Sequence, residues 1–368
     1  MTVPKVMKAF VLEGNSGVVK KDVPVPEVKA NQVLVKVKSV AINPTDWKHA
    51  KYQLGPEGSI LGCDYAGEIA QVGTDVKDVK VGDQCFGCVS GASTETPWNG
   101  AFAEYAVTDP ALVFKVDSTL SSISKSELES DTVKTLEGAA SLPVALLTVI
   151  INLGYSDGLK LEPSDANKDK IYLVWGGASS VGAIAVQFAK YLGFRVIATC
   201  SPHNAQFVES LGAEKTFNYR DSDVVDQIKA YAGDKIEIGF DTISTHQTMP
   251  LVNAVLPTDR PVHMDATLGY EDKLKDQKKD NVKYGVLFAY HVADAIKKFG
   301  VNGKAIPAPP GLHDLSRDLV KTVNTTILPK IRHLPCQILP KGLDSVKEGL
   351  EIVETGKNSG TKIVINNI

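Results

Sequence analysis

Apolar positions follow two regimes along this chain. From Lys8 to about Val107, short β-rich runs at 9–12, 32–41, 67–72 and 103–107 are punctuated by Gly, Pro, Asn and Asp, a pattern that predicts a β-barrel-like domain. From Glu137 onward, helix-forming stretches alternate with strand-like runs at 171–175, 215–217, 236–242, 261–264 and 283–288, which predicts a doubly wound parallel sheet. Beyond that come a run over 289–301, a proline-rich joint at 307–310, a helix near 313–323, a strand over 336–339, a helix over 343–355 and a terminal strand over 362–365. This tail is expected to return to the first domain. Two polar stretches, 162–170 and 271–283, interrupt the alternating part and are expected as solvated surface.

The most informative segment lies in the second regime. The apolar run 171–175 leads into Gly176, Gly177, Ala178, Ser179, Ser180, Val181 and Gly182, then an amphipathic stretch to Leu192 and a second β-rich run over 194–199. Strand, glycine turn, helix and strand within about thirty residues form the unit that binds a dinucleotide. Small residues let the main chain approach a pyrophosphate, and the N–H groups and dipole at the helix start offer the anion a partner. The second strand ends in Thr199, Cys200, Ser201, Pro202 and His203, with no carboxylate where an NAD-selective protein places one on the ribose hydroxyls. Ser201, His203 and Asn204 are candidate donors to a 2′-phosphate, and Tyr219 with Arg220 is expected to reach the same pocket, so NADPH is preferred over NADH. For His203 and Arg220, a polar loop that merely ends a strand is the plain alternative.

Composition narrows the partners. The 368 residues are 43% hydrophobic, enough for a large core and two domains. Forty Lys and Arg against 43 Asp and Glu leave a net charge of −3, so no global field recruits nucleic acid or an anionic membrane. The N-terminal residues lead straight into a strand pattern without an apolar leader, which sets a cytoplasmic expectation, with the nucleus as an alternative. Five scattered cysteines (Cys63, Cys85, Cys88, Cys200, Cys336) argue against a disulfide framework.

Several ordered motifs together resemble the medium-chain dehydrogenase/reductase superfamily over nearly the whole chain: 33–46 (VLVKVKSVAINPTD), 61–73 (LGCDYAGEIAQVG), 79–87 (VKVGDQCFG), 100–105 (GAFAEY), 139–148 (AASLPVALLT), the GGASSVG turn and 356–364. The resemblance implies an α/β protein with a GroES-like β-barrel catalytic domain over 1–138 and 296–368, a Rossmann doubly wound parallel-sheet domain over 139–295, and an active site in the cleft between them. Many members hold a catalytic zinc. Here Asn43 stands at the first Cys ligand and Gly62, Cys63 and Asp64 at the Gly-His-Glu, while Cys85 and Cys88 are all that represents the four-cysteine structural lobe. No metal is therefore expected. The chain looks most similar to the zinc-free quinone oxidoreductase-like branch, and within it to fungal trans-acting enoyl reductases and related aldehyde and enone reductases, through 42–48, 198–204, 211–213 and Tyr219 with Arg220.

By that resemblance the activity is an NADPH-dependent, zinc-independent reduction of an activated carbonyl compound: an α,β-unsaturated carbonyl, an aldehyde or a quinone. Lys48 is the first candidate for stabilising the developing oxyanion, and Asn43, Thr45 and Tyr52 are alternatives for orienting substrate or the nicotinamide ribose. Asp46 is read as a helix cap or a tether for Lys48. Thr148, Ile243, Ser244, Phe288, Ala289 and Lys362 are carried over as residues near the cofactor, and Trp47 and Trp98 as pocket linings that are equally well packing. Two alternatives stand beside this reading: a dedicated enoyl reductase served by a polyketide carrier protein, and a nucleotide-binding regulatory or structural protein. Homodimer and monomer are both open, since the run 283–288 would make an edge strand that the charged stretch before it would shield.

Overall fold

The computed structural model describes residues 3–292, 296–298, 303 and 305–368. These fall into two compact units, Met1–Val144 with Ala289–Ile368, and Ala145–Phe288. Of the run expected over 289–301, residues 293–295 and 299–301 lie outside the described residues.

The first unit opens on β1 (Val6–Glu13) and β2 (Ser16–Pro24), an antiparallel pair. There follow β3 (Val33–Ala41), β4 (Asp64–Val72), β5 (Gln84–Cys88), β6 (Tyr105–Thr108) and β7 (Glu127–Leu128). In β3 the lysines at 36 and 38 are only half-buried while the rest of the strand is buried, with Val33, Val35 and Val37 in one core cluster and Leu34, on the other face, in a second. Helix Pro44–Lys51 starts three residues after β3, where Asn43 and Pro44 set the chain for a first turn.

The second unit holds β8 (Ile171–Trp175), β9 (Arg195–Cys200), β10 (Lys215–Asn218), β11 (Ile236–Asp241), β12 (Val262–Ala266) and β13 (Val282–Val286) in the order β10-β9-β8-β11-β12-β13, all parallel. Every residue of β8 is buried, as befits the centre of a sheet covered on both faces. The stretch 271–283 is largely exposed, as expected of solvated surface, and includes the short helix Glu271–Leu274. Leu274 is fully buried against the β8–β12 core, and Tyr270 packs on Tyr284 at 5.1 Å, so its few apolar residues anchor a charged segment.

The chain then passes through β14 (Ile296–Lys297) and β15 (Ile306–Pro307) to helix Leu312–Thr326, β16 (Cys336–Leu339), helix Val346–Glu354 and β17 (Lys362–Asn366). The last strand lies antiparallel to β3 and parallel to β16, which returns the tail to the first unit, in a sheet of order β5-β4-β3-β17-β16-β7 with β6 also on β3. No helix among the described residues is long and apolar enough to cross a membrane.

Candidate active site

In the second unit the strand order reverses between β8 and β11, and ligands of open α/β sheets settle at the carboxyl ends of the strands beside such a switch point. The glycine turn sits there. Gly176 has φ +88° and Gly182 packs so tightly that a Cβ on it would lie 2.2 Å from the Gly176 carbonyl oxygen, so both positions require glycine. Ser179 caps helix Ser180–Tyr191: its Oγ accepts from the Gly182 N–H at 2.9 Å and contacts Thr242 Oγ1 at 2.9 Å. The N–H groups of Ser180 and Val181 have no acceptor within the helix by geometry and face its N-terminal end with the dipole. Ala178 and Gly177 complete the turn, held by Gly177 N–H donation to the Thr199 carbonyl at 2.8 Å.

Across the switch point, Ile243 presents 42% of its surface to solvent and lies against Gly176. Its loop is held by Asp241, whose Oδ1 accepts from the N–H groups of Ile243 and Ser244 at 3.0 and 2.9 Å. At the same sheet edge β9 and β10 end in register, Cys200 beside Asn218, so the loops after them meet. The Ser201 and Tyr219 hydroxyls are 3.2 Å apart, and the Arg220 guanidinium lies 4.9 Å over the Tyr219 ring. His203 is exposed and Asn204 half-buried on the turn Pro202–Asn204. Thr148 is buried in helix Pro143–Ile151, and Phe288 is half-buried two residues past β13.

In the first unit, helix Pro44–Lys51 gathers the catalytic candidates. Asp46 is buried and its Oδ2 accepts from the Asn43 N–H at 2.7 Å, closing the helix start. Asn43 itself spends both ends of its amide on neighbours, Nδ2 donating to Asp64 Oδ2 at 2.8 Å and Oδ1 accepting from Lys362 Nζ at 2.6 Å. Lys362 begins β17, and its ammonium also lies 3.4 Å from Asp64 Oδ2, with side-chain exposures of 3% and 0%. Lys362, Asn43 and Asp64 thus form one buried network. Asp64 Oδ1 takes the Val144 N–H at 2.8 Å. Burial pushes the Asp64 and Asp46 carboxyls above their ordinary range, and the Lys362 charge works against that for Asp64.

Lys48 is half-buried with its ammonium 5.5 Å above the Trp47 ring, and Lys51 approaches the same ring at 5.7 Å. Tyr52, 58% exposed, follows the helix with its ring 6.1 Å from Trp47, and Trp98 is also exposed. Thr45 is half-buried, and its hydroxyl meets His49 Nδ1 at 3.1 Å and the Tyr290 hydroxyl. His49 and Tyr290 are absent from the residues singled out by sequence. His49 was legible as the i+4 neighbour of Thr45 on one helix face; Tyr290, 245 residues away, carried no local signal. A buried pair in the second unit, Asp157 and Asp265, also went unread. Ser156 Oγ donates to Asp265 at 2.6 Å and His263 Nδ1 lies 2.9 Å from Asp157.

Comparison with known proteins agrees with this architecture. The Alcohol dehydrogenase GroES-like domain family matches residues 29–118, and the Zinc-binding dehydrogenase family matches residues 180–259. An uncharacterised protein of Saccharomyces cerevisiae, YNL134C, is 36% identical over 376 residues, covering 99% of this chain and 98% of its own. The trans-enoyl reductase RAP1 of Pyricularia oryzae is 31% identical, over 99% of this chain and 98% of its own. Among solved structures, the Escherichia coli quinone oxidoreductase complexed with NADPH superposes with a TM-score of 0.70 at 19% identity, over 98% of this chain and 99% of that one. Full-length similarity at 31% identity to a trans-enoyl reductase, with a GroES-like unit and a Rossmann sheet, means that the chain belongs to the medium-chain dehydrogenase/reductase superfamily.

Proposed function

We propose that the protein is an NADPH-dependent, zinc-independent reductase of activated carbonyl compounds: α,β-unsaturated carbonyls, aldehydes or quinones. The observation that carries this reading is the Ser179-capped glycine turn at the switch point, flanked by hydroxyl and guanidinium groups and by no carboxylate at the end of β9. Ser180 and Val181 N–H groups would take the pyrophosphate. Ser201, Tyr219 and Arg220, with His203 and Asn204 beside them, would take a 2′-phosphate through charge-assisted hydrogen bonds. Ile243 offers an apolar face for the nicotinamide, with Thr148 and Phe288 as further contacts. When bound, the cofactor supplies a hydride. Thr45 and Lys48 serve as donors to the oxygen on which negative charge develops; Tyr52 borders them, and Asn43 holds the helix start in place.

Zinc independence is part of the proposal, because the name of one matching family raises the question of a metal. Asn43 and Asp64 stand at family ligand positions, but their side-chain polar atoms are spent on each other, on Lys362 and on the Val144 N–H. The Lys362 ammonium already supplies the positive charge there, and a divalent ion would be placed beside it. Among the described residues no group of three or more His, Cys, Asp or Glu side chains is arranged to hold a metal ion. This donor set does not fit zinc, and no step is drawn through one. An enoyl substrate is the second reading, favoured by the name of the Pyricularia relative.

The test is oxidation of NADPH and of NADH by EDTA-treated protein against a panel of 2-enals, enones, aldehydes and quinones. Turnover that prefers NADPH and survives chelation is expected. Loss of turnover on chelation would overturn the zinc-free reading, and silence across the panel would overturn the reductase reading.

A further inference from the structure

We infer that Tyr290 is a positioning residue for the proposed reduction, acting through the Thr45 hydroxyl; the inference rests on the reductase reading above. Tyr290 lies on the short turn Ala289–Val292, is 9% exposed, and hydrogen-bonds through its phenol to Thr45 Oγ1. Cys63 Sγ lies 3.9 Å from the same phenol oxygen, with its S–H as donor. His49 Nδ1 is 2.8 Å from the Thr45 carbonyl oxygen and 3.1 Å from Thr45 Oγ1, and its ring meets the Tyr290 ring edge-on at 5.7 Å.

Donor and acceptor accounting gives this cluster a direction. A hydroxyl has one proton to donate and two lone pairs. Either oxygen of the Tyr290–Thr45 contact can be its donor; in the proposed arrangement the phenol donates to Thr45, with the Cys63 thiol approaching the phenol oxygen as a donor. The shorter contact of His49 Nδ1 is to a carbonyl oxygen, which only accepts, so that nitrogen carries a proton and donates as well. In that arrangement Thr45 receives hydrogen bonds on its inner side and keeps its own proton for an acceptor on the outer, half-buried side. A chain of hydrogen bonds running one way polarises its last member, and an oriented hydroxyl is the donor that a developing oxyanion requires. Burial keeps the phenol protonated by pushing its pKa well above the ordinary value. No proton leaves Tyr290 in this role. Without it, the Thr45 oxygen loses the phenol's hydrogen bond and, with it, the constraint on where its own proton points.

The experiment is a double-mutant cycle on NADPH oxidation with a 2-enal, comparing wild type with Tyr290→Phe, Thr45→Ala and the double variant. Phenylalanine keeps the ring packing on His49 and removes only the hydroxyl. Tyr290→Phe is expected to lower kcat about ten-fold with KM for NADPH and Tm near wild type, and to have no further effect in the Thr45→Ala background. Thr45→Ser, which keeps the hydroxyl, is expected to retain the dependence on Tyr290. Equal losses from Tyr290→Phe with and without Thr45 would overturn the inference, as would a variant with wild-type kcat. If Tyr290→Phe does not fold, 3-fluorotyrosine at 290, nearly isosteric and a stronger donor, carries the test: kcat rises when Thr45 is present and is flat in Thr45→Ala, and the opposite pattern or no change overturns it. Wild-type protein inactive on every enal, enone, aldehyde and quinone would remove the reductase reading and this inference together, whereas an active wild type with a silent Tyr290→Phe would remove this inference alone.

Discussion

Lys362 carries a positive charge to a position where 3% of its side chain meets solvent, and it is tolerated there because Asn43 and Asp64 answer it directly. A buried pair of this kind roughly balances its desolvation against its attraction, but removing one partner leaves the other uncompensated. Lys362→Met is expected to destabilise the protein by about 3–5 kcal/mol, read as a lower urea midpoint at neutral pH. The loss should shrink at acid pH: burial already pushes the Asp64 carboxyl up, and without the lysine it would be the protonated, neutral form that folds. A midpoint unchanged from wild type would show that the network carries no such weight. The sequence placed Asn43, Asp64 and Lys362 on family positions but had no means of joining them, because Asn43 and Lys362 are 319 residues apart. Local spacing shows which residue types are present; only β17 lying against β3 brings the ammonium to the amide.

At the scale of elements, the glycine turn was the most legible feature, since its conformation and packing limits are local and are written in residue type. Ser179 as cap, Gly176 at positive φ and Gly182 against the Gly176 carbonyl are all consequences of a chain that must turn sharply from β8 into a helix. The proposed 2′-phosphate contacts come from two different elements, the loops after β9 and β10, which meet because parallel neighbours in register end at one edge. Removing the phenol and guanidinium together, as Tyr219→Phe with Arg220→Ala, is expected to weaken NADPH binding about ten-fold while leaving NADH nearly unchanged. Fluorescence titration with each cofactor measures it, and equal effects on both would refute a 2′-phosphate site there. The stretch 271–283 is largely the solvated surface its charge pattern implies, and only the short helix anchored by Leu274 was not legible there.

At the scale of the molecule, the second unit buries two acids within its fold. Asp157 and Asp265 face each other, and burial raises both carboxyls, Asp157 from 3.8 to about 7. Lys283 donates to the Ser156 carbonyl nearby, and burial lowers the half-buried His263. An acid whose folded pKa is raised holds a proton that the unfolded chain has released, so its stabilising share is full at low pH and is lost as pH rises through the folded value. Stability from this pair is thus expected to decline between about pH 4 and pH 7. Asp265→Asn, whose amide imitates the protonated acid, should flatten that slope in urea titrations; an unchanged slope would mean that the pair does not set it. Sequence alone determined the two-regime organisation, the glycine turn between strand and helix and the family, because periodicity and turn chemistry act between near neighbours. Tertiary structure decided which polar groups became partners: Lys362 with Asn43 and Asp64, Tyr290 with Thr45, Ser201 with Tyr219, Asp157 with Asp265. Those pairings follow from strand order and register, which bring distant segments to hydrogen-bonding distance, and a buried polar group takes the partner the fold places beside it.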